Sequence, residues 1–367
     1  MKRTLKYGTL CATVLLASAC GDKKATEAAA PEAEAVAYAD TVRLTNGKGV
    51  YTFMEVKGYN AQGQLAVIDG YNVSAEGATT YAEQSIFQGG RKVYGKSVDA
   101  QGNLTGEEQY TYNGDQIAEV LTREFSDEKQ KMLDKSKVTY TYDANGNVTA
   151  IVEQLCENLH WNNSYEWDYT YNEQGQVVDR KDYAYGADKE RKQSRWETYE
   201  YDEQGRLATY DLYIFDQKKG KQKHDSKTVY TYNDKNLVIE AVTERHKSTL
   251  KRESVKSRVF TFDYNENGQL SYFANQKWKE SDKSLTTQFS TNNTYDEQGR
   301  LIQQNNISQI KPQTGSSFYA YAYSSSSTAA TPAAETQKVD LFIPATNGKP
   351  VIDLTEGNRT LTEPKDE

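Results

Sequence analysis

The 367-residue chain carries 44 Lys and Arg against 52 Asp and Glu, a net charge of −8, which favours solubility and argues against nucleic acid as a partner. Tyrosine supplies 28 residues. A ring that buries area while keeping its hydroxyl wet suits a thin sheet with wet faces better than a thick aliphatic core.

The first residues run from a basic stretch (Lys2, Arg3, Lys6) through an apolar run (Leu10 to Ala17) to small residues, the order of a secretory signal over residues 1–19. The ending Leu16-Ala17-Ser18-Ala19-Cys20 resembles the lipobox of bacterial lipoproteins, with Ala17 where Leu is commoner. That resemblance implies cleavage before Cys20, acylation of its thiol by palmitate-type chains, and a lipid-held membrane attachment. Loss of Lys2, Arg3 and Lys6 with the signal takes the net charge from −8 to −11. It also leaves Cys156 as the lone thiol beside Cys20, so no disulfide forms within the chain, and Cys156 reads as a small half-buried hydrophobe. No later run approaches the ~18 apolar residues of a transmembrane helix. An outer-membrane barrel would need a lipid-facing apolar band on every strand, whereas these strands carry charges on both faces.

Residues 20–38, rich in Ala, Glu and Lys, read as a flexible tether. Residues 39–323 form a repeat region, 324–338 a low-complexity linker, and 339–367 a terminal hairpin around Asn347-Gly348 with a tail. Within the repeat region the plainest copies are Tyr140-Thr141-Tyr142-Asp143-Ala144-Asn145-Gly146, Tyr199-Glu200-Tyr201-Asp202-Glu203-Gln204-Gly205-Arg206-Leu207 and Thr294-Tyr295-Asp296-Glu297-Gln298-Gly299-Arg300-Leu301. The last Tyr of successive copies falls at 112, 142, 171, 201, 232, 264 and 295, a period of about 30 residues. Tyr-x-Tyr puts both rings on one face of a strand, and Asp/Asn-x-x-Gly is turn chemistry. Two turns per period leave two strands of about ten residues. None of the six prolines lies between Val36 and Lys311, as a central sheet requires. The fold class is therefore all-β, one long antiparallel meander with two strands per repeat, either an open curved sheet or a closed one.

The motif Tyr-x-Tyr-Asp-x-x-Gly-Arg-Leu resembles the YD repeat of Rhs-type proteins over roughly residues 95 to 305. Large members of that family wind a β-strip into a hollow shell and carry a self-cleaving segment with Asp-Pro. This chain has no Asp-Pro dipeptide and about nine copies, so toxin encapsulation does not follow. The likeness is nearer to short YD-repeat lipoproteins of Bacteroidetes-type bacteria.

His160, His224 and His246 lie in or beside loose polar turns without metal-ligand spacing. Asp143, Asp202 and Asp296 are explained by backbone bonds in their turns, and a full calcium loop is missing. No cofactor motif, nucleophile elbow or phosphate loop is present, so neither a cofactor nor an enzyme activity is expected. Trp161, Trp196 and Trp278 fall next to loose turns and are candidates for a ligand-facing platform; the alternative is cross-strand packing, which carries more weight. Lys218, Lys219, Lys221 and Lys223 belong to a loose turn whose neighbourhood, residues 216 to 227, balances to +3, and residues 244 to 258 balance to +4. Such a basic rim fits an anionic polysaccharide or a headgroup, the alternative being solubility of the strand ends. The expectation is a lipid-anchored outer-membrane protein, facing periplasm or cell surface, with a binding or scaffolding barrel or sheet and a polysaccharide or protein partner. A glycan-processing enzyme and a purely structural envelope component are the rivals.

Overall fold

The computed structural model describes residues 30–46, 50–216, 219–246, 254–310 and 316–323. The signal, Cys20, most of the 20–38 segment, Lys218, the 324–338 linker and the 339–367 hairpin and tail lie outside the described residues.

The described residues fold into strands alone. The chain begins with β1 (Tyr38–Asn46), β2 (Tyr51–Tyr59), β3 (Leu65–Val73), β4 (Thr79–Gln88), β5 (Arg91–Val98), β6 (Leu104–Asn113) and β7 (Gln116–Ser126). It continues through β8 (Lys131–Tyr142), β9 (Val148–Glu157), β10 (His160–Tyr171), β11 (Val177–Tyr185), β12 (Arg191–Tyr201), β13 (Leu207–Asp216) and β14 (Lys221–Tyr232). The last strands are β15 (Val238–His246), β16 (Ser254–Tyr264), β17 (Leu270–Lys279), β18 (Ser284–Tyr295), β19 (Leu301–Ser308) and β20 (Ser317–Ala322). Each pairs antiparallel with the next, and β1 pairs with both β2 and β20, so the 20-stranded meander closes into a barrel. Of the two forms left open by the sequence, the closed one is found, and closure leaves no free strand edge.

The turns follow from their first residue. Oδ1 of Asp202 accepts the amides of Gln204 (3.0 Å) and Arg206 (2.9 Å), and Gly205 sits at φ 74°. The same pair of bonds forms at Asn60, Asp99, Asp143, Asn172, Asn233, Asn265 and Asp296. The second oxygens of Asp202 and Asp296 receive Nε–H of Arg206 and Arg300, so these carboxylates are filled by their own turns. Just before each such turn the register slips, as between Glu200 and Tyr201, and a second slip falls in the following pair of strands, as between Leu212 and Tyr213, except in the last pair, β19 and β20. Bulges bend and twist a strand, and their recurrence along the meander supplies curvature toward closure.

Registers assign Tyr199, Tyr201, Tyr230, Tyr232, Phe262 and Tyr264 to one face of the wall, here the tyrosine face. That face carries the core, with Phe273, Leu207 and Val177 at 0–1 % exposure among the rings. Packing is lateral, between neighbouring strands, because a one-layer wall has no second layer to bury against. Near the start of the barrel, Glu34 accepts bonds from Asn60 Nδ2 (2.6 Å) and the Gly89 amide (2.8 Å), so the final residues of the 20–38 segment lie along the first turn.

Candidate binding surface

On the tyrosine face, β11 to β13 hold a buried charge network. Glu197, 2 % exposed, has Arg195 Nε at 2.6 Å and Arg180 Nη1 at 3.5 Å, and accepts the hydroxyls of Tyr199 (2.5 Å) and Tyr210 (2.9 Å). Arg180 grips Asp182 with Nε–H and Nη2–H at 2.8 and 3.0 Å. Burial pushes the Glu197 carboxyl up, but the two guanidiniums and two hydroxyls outweigh it and hold it below the ordinary range. Burial wins at Asp182, which is raised despite Arg180 beside it. Two acids and two bases cancel, so the network supplies no free charge. Its chemistry is to fix the register of three strands, since a buried pair is costly to break once formed. Sequence reasoning missed Arg195 and Glu197; their alternation with Tyr199 along one strand was the available signal, and nothing in the sequence aligned Arg180 from the next strand.

The opposite face carries all three tryptophans singled out in the sequence. Trp196 stacks on Tyr213 at 4.6 Å, and Tyr213 packs against His224 at 4.9 Å. Trp196 Nε1–H donates to Asp179, and Asp211 joins His224 Nε2 (2.6 Å) and Lys227 Nζ (3.2 Å). Trp161 lies under the Lys137 ammonium at 4.8 Å, and Trp278 under that of Lys256 at 5.2 Å. Trp278 Nε1–H donates to Glu280 at 2.9 Å. These rings sit on β10, β12 and β17, so at ~4.8 Å per strand they stand roughly 10 and 24 Å apart and form no common platform. Each is engaged by its own cross-strand neighbours.

The lysines divide. Lys219 lies in its turn with Asp216 at 3.6 Å, while Lys221 and Lys223 project from the exposed end of β14 on the tyrosine face. Much of the remaining basic rim is neutralised locally, as where Lys192 meets Asp188, Lys283 meets Glu280, and Arg191 meets Glu166 and Asp168. Between the turns at Asn233 and Asn265 lies a shallow depression of about 190 Å³ lined by Lys235, Phe262 and Tyr264. That is less than the ~300 Å³ at which small-molecule pockets begin.

No family model matches the chain, and no curated protein does. Among solved structures the chain is similar to a porin-like protein from Bacteroides uniformis, at 10 % identity and TM-score 0.31, covering 79 % of this chain and 98 % of that one. It is also similar to a protein of unknown function from Bacteroides fragilis, at 18 % identity and TM-score 0.29, covering 34 % and 88 %. The TcdB2-TccC3 complex matches at 12 % identity and TM-score 0.29, over 70 % of this chain and 16 % of that one. These likenesses say nothing of this chain's activity.

Proposed function

We propose that the chain is a lipid-anchored envelope protein of the outer membrane, built from YD-type hairpins and acting as a binding or scaffolding barrel rather than as an enzyme. The observation that carries this reading is that charge runs through the middle of the strands on both faces. Arg180, Glu197 and Glu153 lie on the tyrosine face, and Glu107, Arg123, Asp211 and Lys227 on the other. A membrane-inserted barrel needs an outward apolar band ~25 Å tall, and a wall charged on both faces lacks it. The barrel is then carried on the membrane by Cys20, whose lipobox-like context supplies the anchor. Among the described residues the most buried carboxylate, Glu197, has its ionised form favoured by two arginines, which suits a structural pair better than a general acid.

Membrane fractionation and palmitate labelling of the full chain test this. Wild type is expected in the membrane fraction and labelled, and Cys20→Ala as an unlabelled precursor or soluble form. A Cys20→Ala chain that labels and fractionates as before overturns the anchor, and protease shaving of intact cells reports which side the barrel faces.

A further inference from the structure

We propose that an oblique strip of basic side chains on the tyrosine face of β14 to β17 is a binding site for an acidic polysaccharide, with Arg258 and Lys277 at its centre. Arg258 and Lys277 are direct cross-strand partners, both exposed, and neither has an acidic partner among the described residues. Like charges placed directly opposite in a sheet repel. Among the described residues no carboxylate pairs with either of them, in contrast to Arg180 and Arg195, which share Glu197.

Register extends the strip. Arg258 stands opposite Thr243 on β15, and Lys277 opposite the exposed Thr286 on β18, so hydroxyls flank the two cations in one row. On β15, Arg245 follows Thr243 on the same face, half exposed, with a 3.5 Å contact to Asp225 in the bulge of β14. Lys223 and Lys221 continue the line toward the loose end of β14. The acids of β15 and β16 lie on the other face, as Glu240, Glu244 and Asp263 do, and on the tyrosine face Asp216 stands opposite Lys221 at the far end of the strip. On the other face Glu244 stands opposite both Lys227 and Lys256, so the bases there have an acid in register, whereas Arg258 and Lys277 face each other.

The arrangement suits a polymer. At ~4.8 Å between strands, the strip crosses roughly 14 Å of sheet from β14 to β17 while also running along the strands toward the loose end of β14. A chain of evenly spaced sulfate or carboxylate groups meets successive bases, and its hydroxyls meet the threonines. Screening makes the local strip prevail over the net negative charge, because the Debye length is about 10 Å at 0.1 M salt. This inference stands on the barrel alone and does not depend on the lipid anchor.

The test measures binding of the full-length chain, purified in detergent, to dextran sulfate, to polygalacturonate and to phosphatidylglycerol vesicles. Arg258→Gln/Lys277→Gln is compared with Lys227→Gln/Lys256→Gln, which removes the same charge from the opposite face. Wild type is expected to bind at least one polysaccharide at about 0.1 M salt and to lose binding near 1 M. The Arg258/Lys277 variant is expected to bind about tenfold more weakly, with the opposite-face variant close to wild type. The Arg258/Lys277 variant is also expected to melt no lower than wild type, since it relieves a repulsion. Absence of polysaccharide binding, equal loss in both variants, or binding to vesicles alone overturns the proposal. A polysaccharide that still binds a chain lacking the Cys20 anchor separates this result from the failure of the anchor.

Discussion

The Tyr201 hydroxyl donates to the Val177 carbonyl at 2.8 Å, from the end of one hairpin to the start of the strand that closes the hairpin before it. The bond recurs along the wall. Tyr142 donates to Ile117, Tyr171 to Val148, Tyr232 to Leu207, Tyr264 to Val238, Tyr295 to Leu270 and Tyr323 to Leu301, all at 2.6–2.8 Å. The second tyrosine of each motif thus staples its repeat to the preceding one. Burial pushes the Tyr201 hydroxyl up to about 12, with Tyr232 nearby adding to it, so it keeps its proton and remains a donor.

Tyr201→Phe removes only the staple and is expected to cost about 1 kcal/mol. Tyr201→Ala also removes a packed ring and is expected to cost about 3 kcal/mol or more. Chemical denaturation of both variants checks this; equal losses would show that the hydroxyl contributes nothing.

At Asn236 an asparagine occupies the left-handed position that Gly205 and Gly299 fill in other turns, with φ 60°. Its Oδ1 also accepts Arg206 Nη1–H at 2.7 Å from the neighbouring turn. Asn236→Ala keeps the strain and loses the bond, and is expected to cost about 1–2 kcal/mol. Asn236→Gly loses the bond but relieves the strain, and is expected to lie close to wild type. Thermal melts in which the alanine variant equals the glycine variant would refute the backbone argument.

Glu153 stands on the tyrosine face opposite Val138 and Tyr165, with no ion pair among the described residues, and burial raises its carboxyl above the ordinary glutamate range. A raised folded-state value means that the protonated form favours the fold. That contribution is fully present below the unfolded-state value and is lost as pH rises through the folded one. Glu153→Gln is therefore expected to raise the denaturation midpoint at about pH 7 and to change it little near pH 4. A stabilisation that is the same at both pH values would rule out the titration.

Asn275 lies between Phe260 and Phe289 across its two neighbouring strands, and its buried Oδ1 accepts no hydrogen bond. An orphan acceptor is costly, whereas an apolar side chain of similar size there makes no such demand. Asn275→Leu is expected to stabilise the barrel by about 1 kcal/mol, read as a shift in urea midpoint at unchanged slope. A destabilised variant would mean that water already satisfies the amide.

The sequence by itself determined the meander, the turn positions and the shared face of the tyrosines, because each depends on neighbours two to four residues away. Asp202 reaches the amides of Gln204 and Arg206 within its own turn, and Tyr199 and Tyr201 share a face by alternation alone. The tertiary structure decided what lies across a strand boundary. Whether Arg258 faces Lys277, whether Arg180 reaches Glu197, and whether β20 finds β1 all depend on register, and each bulge between them shifts that register by one residue. A one-residue slip exchanges the two faces of a strand. The partners of Arg258 and Arg180, and the closure of the wall, are therefore fixed only when twenty strands are aligned together.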